Sequence, residues 1–384
     1  MLFKEIVGQE DIKKRLIQTV KDNRISHAQL LLGPAGSGNL PLAFAYAQYI
    51  FCSNKQENDS CGECSSCLKM QKIAHPDFHF VFPVYKVKTD RDSVSDDFIT
   101  EMREALIPNP YLELDEFLDI IGIENKQPQV YVGESAAILR KLSFKAYEGE
   151  YRVVIIWKPE KMNVQAANKI LKIIEEPPER TLFILVAENT DLMLATILSR
   201  TQMVKIKKID DHSMQQALVE KYKLSADDAL RITYHADGNF GQAMKLAAQG
   251  DDSVENMQKF RDWMLACYKN NIPEMLSWSE KLASTEEGRE KQKAFLLFCQ
   301  NMFRKALMQT YSSSELARMT ENEKSFFLKF STFVNGNNIM EITAELDSAS
   351  YHIERNAYPK LLFFDLSLKL AALLRMSQQV QVKA

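Results

Sequence analysis

A chain of 384 residues is long enough for two or three domains, each with its own core. Its 46% hydrophobic and 26% charged residues are ordinary values for a soluble globular protein. The longest apolar run near the end, residues 361–374, is interrupted by Asp365 and Lys369, which excludes a bilayer span there. Residues 1–9 mix charged and apolar side chains without an apolar core, so no export signal is read and a cytoplasmic location with no membrane partner is expected. The formal charge of −3, from 48 basic and 51 acidic side chains, identifies no partner. It is unevenly spread, because residues 90–124 carry eleven acidic side chains against two basic ones, a balance of −9, which leaves +6 for the rest. That excess permits nucleic-acid contact without arguing for it.

In chain order, residues 9–22 place Ile12, Leu16, Ile17 and Val20 on one face of a helix. A short strand, 28–32, then runs into Gly33-Pro34-Ala35-Gly36-Ser37-Gly38-Asn39-Leu40, and a helix is expected over 41–51, where Pro41 is tolerated in the first turn. The glycine stretch has the spacing of a phosphate loop without its chemistry. In a working G-x-x-x-x-G-K-[ST] loop the backbone N–H groups wrap the phosphates, the lysine neutralises them and the hydroxyl holds Mg²⁺. Here Gly33, Gly36 and Gly38 remain, the lysine position is the uncharged Asn39, and the hydroxyl position is Leu40, which cannot ligate a metal.

Cys52, Cys61, Cys64 and Cys67 follow, four of the six cysteines within sixteen residues. Their C-x8-C-x2-C-x2-C spacing, with Gly62 allowing a tight knuckle, suits four thiolates around a structural Zn²⁺ with no open coordination position. Two disulfides or buried thiols are the alternatives, and disulfides are rare in the cytoplasm. Cys267 and Cys299 lie in helical patterns and read as packing residues.

Residues 77–84 read as a strand. The acidic segment comes next, with Pro108 and Pro110 dividing helical pieces at 97–106 and 111–121, and it reads as an inserted helical hairpin with a solvated acidic face. Strands and helices then alternate: helix 133–147, strand 152–157, helix 164–175, strand 181–187, helix 191–198, strand 202–206. Units of this length imply a parallel sheet covered by helices on both faces, with ligands at the carboxyl ends of the strands. At one such end, where Mg²⁺-binding acids would follow Val153-Val154-Ile155-Ile156, the chain has Trp157 and Lys158. Loop lysine, loop hydroxyl and metal-binding acids are missing together, so ATP hydrolysis by this chain is not expected.

Residues 211–249 read as a small helical unit with a turn at Ala236-Asp237-Gly238-Asn239-Phe240-Gly241, and nearly everything from 253 onward as helix. Phe295, Cys299, Met302, Phe303 and Ala306 make an apolar stripe suited to packing on other helices.

Several stretches jointly resemble the delta-prime branch of bacterial DNA polymerase III clamp-loader subunits, within the AAA+ family. They are Ile6-Val7-Gly8-Gln9, His27-Ala28 before the glycine loop, the cysteine knuckle after it, Asn168-Lys169-Ile170-Leu171-Lys172-Ile173-Ile174-Glu175-Glu176-Pro177-Pro178, Ser199-Arg200-Thr201, and His352-Ile353-Glu354-Arg355-Asn356-Ala357. The resemblance implies an AAA+ core over residues 1–208, carrying the knuckle at 52–67 and the acidic insertion at about 84–127. It further implies a helical lid over 209–250 and an all-helical collar for oligomerisation over 251–384.

In function it implies a non-hydrolysing stator that helps place the sliding clamp on primed DNA beside gamma/tau motor subunits and a delta subunit. Arg200 would be offered in trans to a neighbour's ATP, the alternative being an ion pair with a carboxylate at the sheet edge. Thr201 stands where the family has cysteine, no arginine occurs near Gly241, and Asn189 sits at a polar sensor position that otherwise reads as a helix cap. An active ATPase with an unconventional loop and a zinc-dependent nucleic-acid-binding module are the competing readings.

Overall fold

The computed structural model describes residues 1–85, 93–122, 128–248, 252–283, 288–311, 321–355 and 357–381. The chain forms two compact units, Met1–Ala247 and Ala248–Ala384.

In the first unit the elements run α1 (Glu10–Lys21), β1 (Ala28–Leu32), α2 (Asn39–Phe51), α3 (Ser65–Gln71), β2 (Phe78–Val81), α4 (Ile99–Leu106), α5 (Leu114–Ile120), α6 (Val132–Leu142), β3 (Arg152–Trp157), α7 (Val164–Glu175), β4 (Thr181–Ala187), α8 (Ala195–Leu198), β5 (Gln202–Lys205), α9 (Asp211–Tyr222), α10 (Ala226–Ala236) and α11 (Phe240–Ala248). The strands form one parallel sheet in the order β2-β3-β4-β1-β5. Such a sheet hides both faces, which is why all seven residues of β4 are buried and its sequence, TLFILVA, is almost continuously apolar. Leu182, Ile184 and Val186 join the core under α2, while Phe183, Leu185 and Ala187 face the cluster built with α6, α7 and α8. The expected α/β layering is therefore present.

Two features set the position of the glycine loop. All 13 residues of α2 are buried, so the helix after the loop is fixed on every side. The loop itself leaves the carboxyl end of β1, between β4 and β5.

The acidic segment forms two helices, as read from the chain, but is built more deeply into the molecule than its composition suggests. Residues 86–92 and 123–127 lie outside the described residues, but α4 and α5 are no appendage: Phe98, Met102, Leu106, Leu112, Leu114, Phe117 and Leu118 belong to the main core. Of the hairpin's acids, Asp97, Glu104, Asp115 and Asp119 are exposed, whereas Glu101, Glu113 and Glu116 are partly buried. The second helix starts at Leu114 instead of 111, because Pro110 and Tyr111 lie in a turn closed by Leu112 N donating to Asn109 O at 3.1 Å. Glu113 after it is extended, and residues 111 and 113 make the contacts described below. Likewise the helix read from 191 begins at Ala195, after a turn in which Asn189 Oδ1 accepts from Asp191 N at 2.8 Å. That bond makes Asn189 an Asx-turn residue and not a helix cap.

At the opposite end of the sheet, the buried Asp77 carboxylate accepts from the N–H groups of Tyr147, Glu148 and Gly149 at 2.6, 2.8 and 2.7 Å. Burial pushes its carboxyl up, but these three bonds together outweigh it and hold it below the usual range. Stability from this group is thus complete above the unfolded value near 3.8 and is lost as pH falls through the lower folded value. Asp77→Ala is expected to cost about 2–4 kcal/mol at pH 7, measured by denaturant unfolding, with the difference from wild type vanishing in strong acid.

Helices α9 to α11 have their own buried cluster, including Met214, Leu218, Ile232 and Phe240, which Val7 and Tyr111 from earlier in the chain complete. The second unit consists of α12 (Asp252–Lys269), α13 (Ile272–Leu282), α14 (Arg289–Tyr311), α15 (Glu321–Phe330), α16 (Ile339–Glu354) and α17 (Pro359–Gln381). The stripe Phe295, Cys299, Met302, Phe303 and Ala306 is buried there. Trp263 anchors this core, stacked on Trp278 at 4.4 Å and donating its ring N–H to Ser367 Oγ at 2.8 Å. Asn356, in the stretch that resembles a collar helix, lies outside the described residues. Among the described residues no helix is long and apolar enough to cross a membrane.

Candidate functional site

The glycine loop is tied up by its own side chains. Asn39 is buried, and its amide turns inward to donate to Gly33 O at 2.6 Å. Its Oδ1 lies within hydrogen-bond reach of Ser37 Oγ, which also reaches Pro34 O at 2.7 Å. Where a lysine would project toward a phosphate, a short amide instead staples the two ends of the loop together. Leu40 is 5% exposed and packs into the core. The α9–α11 cluster presses on the loop from outside. Phe240 N donates to Gly36 O at 3.0 Å, and a Cβ on Gly36 would lie 1.8 Å from Asn239 Oδ1, so only glycine fits.

At the carboxyl end of β3, with β4 between it and β1, Trp157 is buried and stacks on Phe80. Lys158, with φ +56°, turns back to pair with Glu188, the residue after β4. Glu160 accepts from Glu188 N at 3.2 Å, and burial pushes its carboxyl up. Two carboxylates at strand ends thus escaped the sequence reading, although Glu188 follows a continuously buried strand, where α/β sheets place functional groups. Lys158 neutralises one of them and the other is spent on a backbone N–H. Asn189 is exposed, and its Oδ1 is engaged in its own turn.

Arg200 follows the one-turn helix α8. Its Nε meets Glu175 Oε1, at the end of α7, at 2.6 Å, and a terminal nitrogen donates to Thr196 O at 3.1 Å. The two side chains are 40% and 37% exposed. An ion pair this wet contributes about 0–1 kcal/mol. The carboxylate pairing anticipated for Arg200 is therefore formed, in a place from which the guanidinium can exchange partners at little cost.

The four cysteines converge. The sulfurs of Cys52, Cys61, Cys64 and Cys67 all lie within 4.8 Å of one another, with Cys52 to Cys61 at 3.6 Å and Cys61 to Cys67 at 3.9 Å. Thiolates at about 2.3 Å from a tetrahedral Zn²⁺ stand ~3.8 Å apart, so the donor set fits that ion. None of the four is in a disulfide. Backbone N–H groups of Cys61 and Cys64 point at the sulfurs of Cys52 and Cys61, both at 3.3 Å, which favours thiolates. Burial raises the Cys52 and Cys67 thiols, whereas at Cys64 hydrogen bonds from Ser53 and Cys67 overcome burial and bring it to about 6. Asp59, inside the knuckle, accepts from Phe3 N and Lys4 N, so the cluster also anchors the start of the chain. Among the described residues this is the one group of three or more cysteine, histidine or acidic side chains placed to hold a metal ion.

Residues 8–210 match the family described as DNA polymerase III, delta subunit. The chain is 25% identical over 268 residues to DNA polymerase III subunit tau of Bacillus subtilis, covering 68% of this chain and 40% of that protein. To subunit delta' of the same organism it is 25% identical over 251 residues, 65% of this chain and 62% of the relative. To subunit delta' of Pseudomonas aeruginosa it is 30% identical over 175 residues, 46% and 41% of the two. The matches thus span less than two thirds of each relative's own length.

Proposed function

We propose, starting from the fact that this chain belongs to the DNA polymerase III delta-subunit family, that it is a clamp-loader subunit that does not turn over nucleotide and offers Arg200 to the ATP of a neighbouring subunit. The observation that carries this is the pairing of a closed loop with an open arginine. Asn39 and Ser37 are bonded to the loop's own carbonyls, while Arg200 stands half exposed on a weak ion pair. A guanidinium that trades Glu175 for a γ-phosphate puts positive charge where negative charge grows in phosphoryl transfer. The neighbours in this reading are gamma/tau motor subunits and a delta subunit, and the task is opening a sliding clamp and placing it on primed DNA.

Cys52, Cys61, Cys64 and Cys67 would hold a structural Zn²⁺, whose chemistry is confined to cross-linking the knuckle, because four thiolates fill its coordination sphere. Titrating the purified chain with labelled ATP and Mg²⁺ tests the closed loop. No saturable binding in the micromolar range is expected, and micromolar affinity would instead support an active ATPase with a compensated loop.

A further inference from the structure

We infer that residues 110–113 of the acidic insertion stand in for a nucleotide, filling the space over the glycine loop and holding α9–α11 against it without a ligand. This deepens the proposed reading of the loop and rests on it. Three contacts carry the inference. The Tyr111 ring lies 3.8 Å from where a side chain on Gly38 would begin, and packs on Phe240 with ring centres 4.9 Å apart. Its hydroxyl accepts the buried Val7 N–H at 2.9 Å. Glu113, two residues on, accepts from Asn239 Nδ2 at 2.7 Å, and Asn239 is the residue packed on Gly36.

A flat ring beside Gly38, an acceptor for a backbone N–H, an aromatic contact and a carboxylate beside the loop are together what the base and phosphates of a nucleotide would present there. The space that remains agrees. The cavity bounded by Gly36, Gly38, Asn39, Trp157, Glu188 and the strap measures about 30 Å³, room for a water or two. Small-molecule pockets run to roughly 300–1,000 Å³. A groove of about 310 Å³ does open beside Tyr111, but none of residues 33–40 lines it, and it shares with the space at the loop only Pro41, Pro110 and Tyr111. Gly241 supplies an independent sign: a Cβ there would lie 2.9 Å from Tyr111 O, so the strap's backbone takes the room of a side chain on α11. Just past this contact, Lys245 of α11 pairs with Glu116 of α5, fastening the two elements a second time.

The test uses the full chain in two comparisons. In the first, Asn39→Lys with Leu40→Thr restores the loop residues, alone or together with Tyr111→Gly and Glu113→Gly, and each protein is titrated with a fluorescent ADP. The strap variants are expected to bind at least tenfold more tightly than the restored loop alone, the effect of losing roughly one or two competing hydrogen bonds. Equal affinities, including none in either, would overturn the occlusion. Binding of the same probe by the unaltered chain would instead count against the proposed closed loop, so the two failures are distinguishable.

In the second, hydrogen exchange compares the unaltered chain with Tyr111→Phe and with Tyr111→Ala plus Glu113→Ala. Tyr111→Phe should speed exchange at the Val7 amide alone. The double variant should speed residues 239–247 roughly tenfold while the amides of β3 and β4 stay protected, which also reports that the sheet is folded. Unchanged exchange at 239–247 in that folded protein would overturn the role in holding α9–α11.

Discussion

Arg200→Ala is expected to lower the ATPase rate of a reconstituted loader by roughly 10³-fold or more, the effect of removing an arginine that reaches a neighbour's γ-phosphate. The chain's own stability should change by no more than about 0.5 kcal/mol, because the pair with Glu175 is half exposed. Since the guanidinium acts where charge develops in the transition state, kcat should fall far more than KM rises. Arg200→Lys should recover little of the rate, since an ammonium lacks the planar fork that spans two phosphate oxygens. Glu175→Gln removes the resting partner and spares the arginine, so it should leave the rate intact or higher. A loader that keeps its full rate with Arg200→Ala would leave the arginine as a surface ion pair and nothing more.

The second large effect is expected at the knuckle. Cys61→Ser, or prolonged chelation of the native chain, should reduce bound zinc from about one ion per chain to none. The first unit should lose stability on the order of several kcal/mol, because metal binding free energy becomes folding free energy when the site does not exist in the unfolded chain. The damage should not be confined to the loop. Asp59 ties the backbone of Phe3 and Lys4 to the knuckle, and Phe3 is packed in the main core against Tyr49, so loosening 52–67 frees the start of the chain. Metal analysis by mass spectrometry together with thermal melts checks this. A melt unmoved by Cys61→Ser, in a protein that never held metal, would make the cluster four packed thiols.

Much of this was readable in the chain before any coordinates. The parallel sheet announced itself through short, continuously apolar strands such as residues 181–187, and the loop through glycine spacing beside an apolar run. The cysteine cluster was legible because its four thiols lie within sixteen residues and cannot stray far apart. The acidic segment forms the two helices with an exposed acidic face that were read from it, but how deeply its apolar side is built in was not legible. Its charge dominates its composition, but Phe98, Met102 and Leu106 recur at helical spacing, as do Leu114, Phe117 and Leu118 in the second helix, and all belong to the core, leaving the charge on the outer face. Glu160 carries no adjacent mark and Glu188 only its place after a continuously buried strand, and their roles come from Lys158 and a backbone N–H across neighbouring strand ends.

The sequence by itself determined the order of strands and helices, the missing lysine and hydroxyl at Asn39 and Leu40, the metal-ready spacing and the candidate arginine. These depend on residue type and on neighbours a few positions away, where chain geometry leaves little choice. Tertiary structure alone decided that Asn39 staples the loop, that Glu175 receives Arg200 and that Tyr111 and Glu113 come to lie beside the glycine loop. The last two contacts join residues 104 and 126 positions apart, to Val7 and Asn239. No local pattern encodes such a meeting, because it follows from the packing of a whole core around α2 and from the loss of water between surfaces that only the folded chain brings together.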